Sequence, residues 1–288
     1  VLRPFFVPSR APIVCTTKAQ VEAAWATAQT GDLIDVRGAI IPGQLSFQNR
    51  DFAGFTEIHF DAACRLTGNK GTGFPAVWVQ NCSKLRMYGG DLTNPMGPGA
   101  IVDGNTDFAW WGFDIHDVGG TCLGWRGLTR PSERADLRGT VSRNGMDFSL
   151  DPHAEKGTGL HGVYTGNSPF PVSGNLFIEA HDLPAGAAIE IGPRTHDTVI
   201  ELDARRVTFQ AQQQVAGNAL QWWGDDIRNI RVPYVYGEDL AGRVSETNGI
   251  YDTQPDGQIT VEHGRSARVR LAPAYATKRG TVAYQDCS

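Results

Sequence analysis

One short unit recurs along this chain and limits its folding choices more than any other feature. It is an alternating apolar strand, an Asp-containing turn, and a second short strand ending near Gly or Asn. The first strands read LRMYGGDL (85–92), FAWWGFDIHDV (108–118), LFIEAHDL (176–183) and VPYVYGEDL (232–240). Those that follow read AIVDGN (100–105), CLGWRG (122–127), AIEIGPR (188–194) and GRVSETN (242–248). Strands returning every 20 to 30 residues, with no helical crossover between them, predict an all-β chain wound as a parallel solenoid. One coil cannot bury its own inner face. Coils stacked about 4.8 Å apart give every strand a neighbour and close a continuous apolar interior. About nine coils would make a rod roughly 40–45 Å long, taken here as a single domain over residues 1–288.

The composition supplies the material. Hydrophobic residues make up 41% and charged residues 20%, enough apolar surface for a large core. With 26 basic against 31 acidic side chains and no Lys/Arg block, a nucleic-acid partner is not expected. No apolar run approaches the roughly 20 residues of a membrane span, so no membrane partner is expected either. The five cysteines (15, 64, 82, 122 and 287) form no CxxC pair, which argues against a thiolate metal site. One or two disulfides and a secreted, extracellular location are the expectation.

Near the N-terminus, Thr17-Lys18-Ala19-Gln20 has the spacing of a helix capping box, and Val21, Ala24, Trp25 and Ala28 follow at helical intervals. A short amphipathic helix within about 15–30 would cover the open end of the solenoid, whose strand edges otherwise recruit other chains. The stretch AQVEAAWATAQTGDLIDVRGAI (19–40) resembles the opening of right-handed parallel β-helix proteins of the pectate-lyase-like superfamily. The resemblance implies a right-handed parallel β-helix with an N-terminal capping helix. It leaves open a polysaccharide lyase, a glycoside hydrolase, a uronan epimerase or a non-catalytic module.

Candidate chemistry follows from strand alternation. With Ile189 and Ile191 inward, Glu190 points outward, with Tyr164 one coil earlier and Gln221 one coil later. Trp222, Trp223, Asp225 and Asp226 come next, placing carboxylates and indoles beside Glu190. Hydrolysis of a glycosidic bond needs two carboxyl groups flanking it, and Glu190 with Asp225 or Asp226 is the expected acid/base pair, although Asp225 and Asp226 read equally as turn residues before Ile227. Trp222, Trp223 and Trp125 are candidate stacking platforms for a sugar ring, with one of the adjacent Trp222 and Trp223 expected to face inward as core, and Gln221 is a further substrate contact. The expected ligand is thus a polysaccharide or oligosaccharide.

The polar run from Asp147 to Tyr164 adds Asp151, His153, Glu155, Lys156 and His161. Asp151-Pro152-His153 resembles the start of the Asp-Pro-His-Asp motif of alginate C5-epimerases, with Ala154 in place of the final Asp. A uronan lyase or epimerase is the alternative: His153 or His161 as base, Lys156 or Arg194 neutralising the uronate, Tyr164 donating a proton. A non-catalytic glycan-binding or structural solenoid is the third. Asp91, Asp117, Asp182 and Asp239 fall at equivalent bends and are expected to be turn residues. No cofactor and no resident metal are expected, although an Asp-rich groove leaves calcium open.

Overall fold

The N-terminal cap forms as its sequence dictates. Thr17 caps the helix Lys18–Thr27, accepting the Gln20 amide at 3.3 Å, while the Gln20 side chain accepts the Thr17 amide at 3.2 Å. Val21, Ala24 and Trp25 are buried, and the Trp25 ring meets Phe47 and Phe52 edge-on at 5.2 and 5.8 Å. The helix is shorter than the 15–30 window. Ile13–Cys15 is instead a strand paired with Leu33–Val36, as suits three consecutive residues that include two β-branched ones.

Beyond the cap, the computed structural model is a parallel β-helix. It describes residues 7–68, 74–95, 97–144, 161–184, 186–208, 217–224, 226–247, 259–270, 274–276 and 282–288. Every described strand pairing is parallel, and each strand pairs mainly with its counterparts one coil before and one coil after. Two kinds of strand alternate. The short ones are Ala100–Asp103, Leu123–Arg126, His161–Thr165, Ala187–Ile191, Asn218–Trp222 and Ser245–Thr247. The long ones include Ala109–Val118, Ser132–Ser142, Val172–Leu183, Thr195–Val207, Arg228–Glu238 and Ile259–Ala267.

Register turns the alternating sequence into columns. One inward column of the short strands runs Ala100, Leu123, Val163, Ile189, Leu220, and a second runs Val102, Trp125, Thr165, Ile191, Trp222. All of these are buried, and burying a large apolar side chain is worth about 1.5–3 kcal/mol. Trp125 and Trp222 therefore belong to the core and do not offer sugar-stacking faces. They are 0% and 1% exposed, and each indole N–H donates to a buried hydroxyl, Ser132 at 3.0 Å and Ser245 at 2.9 Å.

All five cysteines are free, in contrast to the expected bridges. Cys15, Cys64, Cys82 and Cys122 fill the interior as small apolar groups, and burial pushes the Cys82 thiol up to about 12.

The bends at the C-terminal ends of the long strands carry a second pattern. Asp117, Arg143, Asp182, Arg206, Asp239 and Arg268 all take left-handed backbone, with φ between 46° and 56°. They occupy the same position in successive coils, so charge alternates along the stack. Arg143 grips Asp117 with two hydrogen bonds, and Arg206 grips Asp182 and Arg268 grips Asp239 in the same way. Asp117 and Asp182 are held well below the usual carboxylate range, first by the hydrogen bond from their arginine. Asp91 departs from the expected equivalence. It opens the strand Asp91–Asn94 and meets Arg65 and His116 instead.

Candidate active site

Strand register brings together residues far apart in sequence. On the outward side of the short strands, Gly124, Tyr164, Glu190 and Gln221 stand in one row. Ile189 and Ile191 point inward at 0% exposure, as the alternation requires. The row is nevertheless sheltered: Tyr164, Glu190 and Gln221 are 6%, 4% and 4% exposed.

Two coils supply the heart of the cluster. His161 and Tyr164 lie on one strand, their rings stacked at 5.9 Å and 23°. On the next strand the Glu190 carboxyl approaches His161, Nε2 to Oε2 at 3.1 Å. The approach is poorly aligned, and neither His161 ring nitrogen makes a well-formed hydrogen bond. The Trp223 ring also stacks on Tyr164, at 6.5 Å and 26°. Beneath it, the Asn218 amide donates to Gln221 Oε1 at 3.3 Å.

Burial sets the protonation of this cluster. Desolvation raises Glu190 to about 8, opposed in part by the Trp223 indole, and lowers His161 to about 3. Around neutral pH the pair is therefore an uncharged carboxylic acid beside an uncharged imidazole. A cation stands at the edge. Arg126 is partly exposed, its guanidinium 5.8 Å from the Tyr164 ring centre, and its Nε is buried without a hydrogen-bond acceptor. No carboxylate among the described residues pairs with it.

The other expected site residues separate from this group. Asp226 occupies a left-handed turn with φ of 57° and is hydrogen-bonded to Arg228 and His196. Burial would raise its carboxyl, but hydrogen bonds from Arg228 and the charges of His196 and Arg228 hold it below the usual range. None of its described contacts reaches Glu190. Arg194, also in a left-handed turn, donates to the carbonyls of Ser168 and Pro169 and clamps that bend. Asp151, His153, Glu155, Lys156 and Asp225 lie outside the described residues. Among the described residues, no group of three His, Cys, Asp or Glu side chains is arranged to hold a metal ion.

Arg126 escaped the sequence reading although a signal was present. Once Trp125 is assigned to the core, its neighbour must face outward on the same side as Tyr164.

Comparison with known proteins gives a fold relationship. No family model matches the chain, and no curated protein matches it. The crystal structure of an alginate lyase from Paenibacillus sp. str. FPU-7 is similar at a TM-score of 0.60 and 15% identity, covering 95% of this chain and 97% of that one. A second chain, Geobacillus virus E2 ORF18, is similar at a TM-score of 0.40 and 8% identity, covering 92% of this chain and 56% of that one. The first shares the β-helix fold.

Proposed function

We propose that the protein is a polysaccharide lyase that cleaves a uronate-containing chain by β-elimination at the Glu190 cluster. The observation that carries this is the pairing, within 3.1 Å, of His161 with the Glu190 carboxyl in a setting that keeps both uncharged, beside Tyr164. The alginate lyase structure of the same fold agrees with that chemistry.

Elimination needs a base for the proton on C5, a group to neutralise the adjacent carboxylate, and an acid for the departing oxygen on C4. Neutral His161 takes the C5 proton. The C–H electron pair becomes the C4–C5 double bond as the C4–O bond breaks, and the Tyr164 hydroxyl protonates the leaving oxygen. Protonated Glu190 and the Gln221 amide hydrogen-bond the uronate carboxylate, on which charge accumulates. Arg126 draws the anionic chain to the edge of the cluster. Trp223, partly exposed and stacked on Tyr164, gives way as the sugar ring takes its place.

The same observations weigh against hydrolysis. A hydrolase needs an ionised carboxylate opposite the acid; of the two expected partners Asp226 is engaged by Arg228 and His196, and Asp225 lies outside the described residues.

The test is incubation with a panel of polyuronates, following near-ultraviolet absorbance of the unsaturated product. Absorbance that rises with wild type and disappears with His161→Gln supports the proposal. New reducing ends without absorbance would mean hydrolysis. A changed ratio of uronate epimers without cleavage would mean epimerisation, and no change in any polymer would mean a binding module. Each of these three results overturns it.

A further inference from the structure

The long strands carry a groove that the elimination chemistry does not use. It encloses about 520 Å³ and is lined by Asp114, Arg138, Phe177, Glu179, Glu201 and Tyr234, with Asp203 at one side. Two outward columns build it. One runs Trp111, Arg138, Phe177, Glu201, Tyr234 through successive coils, and the other runs Asp114, Thr140, Glu179, Asp203, Tyr236.

Two features of these columns define an occupant. The first is spacing. Aromatic rings recur at every second coil of the first column, Phe177 and Tyr234 within the groove and Trp111 beyond its lining, which sets neighbours about 9–10 Å apart. An extended β-1,4-linked pyranose chain presents the same ring face at every second sugar, so one aromatic can meet each alternate residue. Tyr234 is the most open of the three, at 42% exposure. The Arg138 guanidinium lies over the other two rings, 5.9 Å from the Trp111 centre and 4.3 Å from the Phe177 centre, so an occupant meets those faces only by moving Arg138 aside.

The second feature is charge. The groove sets four carboxylates (Asp114, Glu179, Glu201 and Asp203) against the single cation Arg138. Asp203 is paired to Arg205, and Arg138 to Asp136. Asp114, Glu179 and Glu201 form no ion pair within 4.0 Å among the described residues, although Arg143 and Arg231 act on Asp114 and Glu201 from further off. Such a groove repels a polyuronate and attracts a cation, and the aromatic faces favour an ammonium group as well as the apolar face of a sugar.

We propose that this groove is a second glycan site that binds a linear β-1,4-linked amino-sugar chain carrying free ammonium groups. The proposal is independent of the elimination chemistry, because the two sites lie on different strands of each coil.

Isothermal titration calorimetry with a β-1,4-linked glucosamine tetramer tests it, alongside the fully N-acetylated tetramer, an oligouronate of equal length and a tetralysine peptide. The glucosamine tetramer should bind, weaken as salt is raised, and outcompete the other three by at least about tenfold. Tyr234→Ala and the pair Glu179→Gln/Glu201→Gln should each weaken it by about tenfold or more with unchanged melting temperature, while Glu190→Gln should leave it unaltered. Equal binding of the acetylated tetramer, equal binding of tetralysine, or indifference to Tyr234→Ala would overturn the proposal. So would loss of binding in Glu190→Gln.

Discussion

Replacing Glu190 by Gln should flatten the pH dependence of stability on the alkaline side. In the folded protein this carboxyl ionises only at about 8, against an ordinary value of 4.5, because burial disfavours its charged form. Between those values the unfolded chain releases a proton that the folded one retains. Stability therefore falls as pH rises, by about 1.4 kcal/mol per pH unit, and levels off above the folded value. From pH 5 to 8 the wild type should lose about 4 kcal/mol through this one group, and Gln, which cannot ionise, should lose none of it. For a chain of this size that is roughly 8–16 °C in melting temperature. Any cost of burying an amide in place of the acid is the same at every pH, so the slope and not the offset carries the information. The assay is thermal unfolding of both proteins at one heating rate, at half-unit intervals from pH 5 to 8.5. Parallel curves would refute a protonated Glu190, and with it the role of this group as partner of the substrate carboxylate.

Three further outcomes follow from the same structure. His161→Gln should lower kcat by 10²–10⁴-fold, and wild-type activity should hold down to pH 5 and decline as pH rises through about 8, since His161 stays neutral to about 3 while Glu190 ionises. Trp222→Ala should cost about 3–5 kcal/mol by denaturant unfolding, as for a large buried side chain, whereas Trp223→Ala should cost far less. Gly139→Ala should destabilise by about 1–3 kcal/mol by denaturant unfolding, because a Cβ there would come within 2.3 Å of the Phe113 ring and 2.4 Å of its carbonyl oxygen, and Phe113→Leu should not restore it, since the backbone contact remains.

The coiled architecture was legible because each coil repeats a pattern that only stacking can satisfy. The Tyr164–Glu190–Gln221 row was legible for a related reason: two inward isoleucines fix the direction of the residue between them. The same rule, carried two residues further, puts Trp222 in the core, and carried along LGWR it buries Trp125 and exposes Arg126. Indoles beside carboxylates suggested a sugar platform, but the hydroxyls that satisfy these two, Ser132 and Ser245, are contributed by other strands. A turn role for Asp226 was readable, since Asp commonly initiates turns, but its partners Arg228 and His196 were not, because they meet it through the shape of a bend that depends on left-handed backbone. The protonation of His161 and Glu190 was equally invisible, since it arises from desolvation that only the assembled stack imposes.

The alternating acidic and basic bends also govern how such a rod can grow. Duplicating a single coil from this region would set two aspartates or two arginines against each other and leave one without its clamp. Duplicating two together preserves the sequence of signs throughout. Over this stretch, then, the unit of inheritance is a pair of coils, and lengths that differ by an odd number carry an electrostatic fault at the seam.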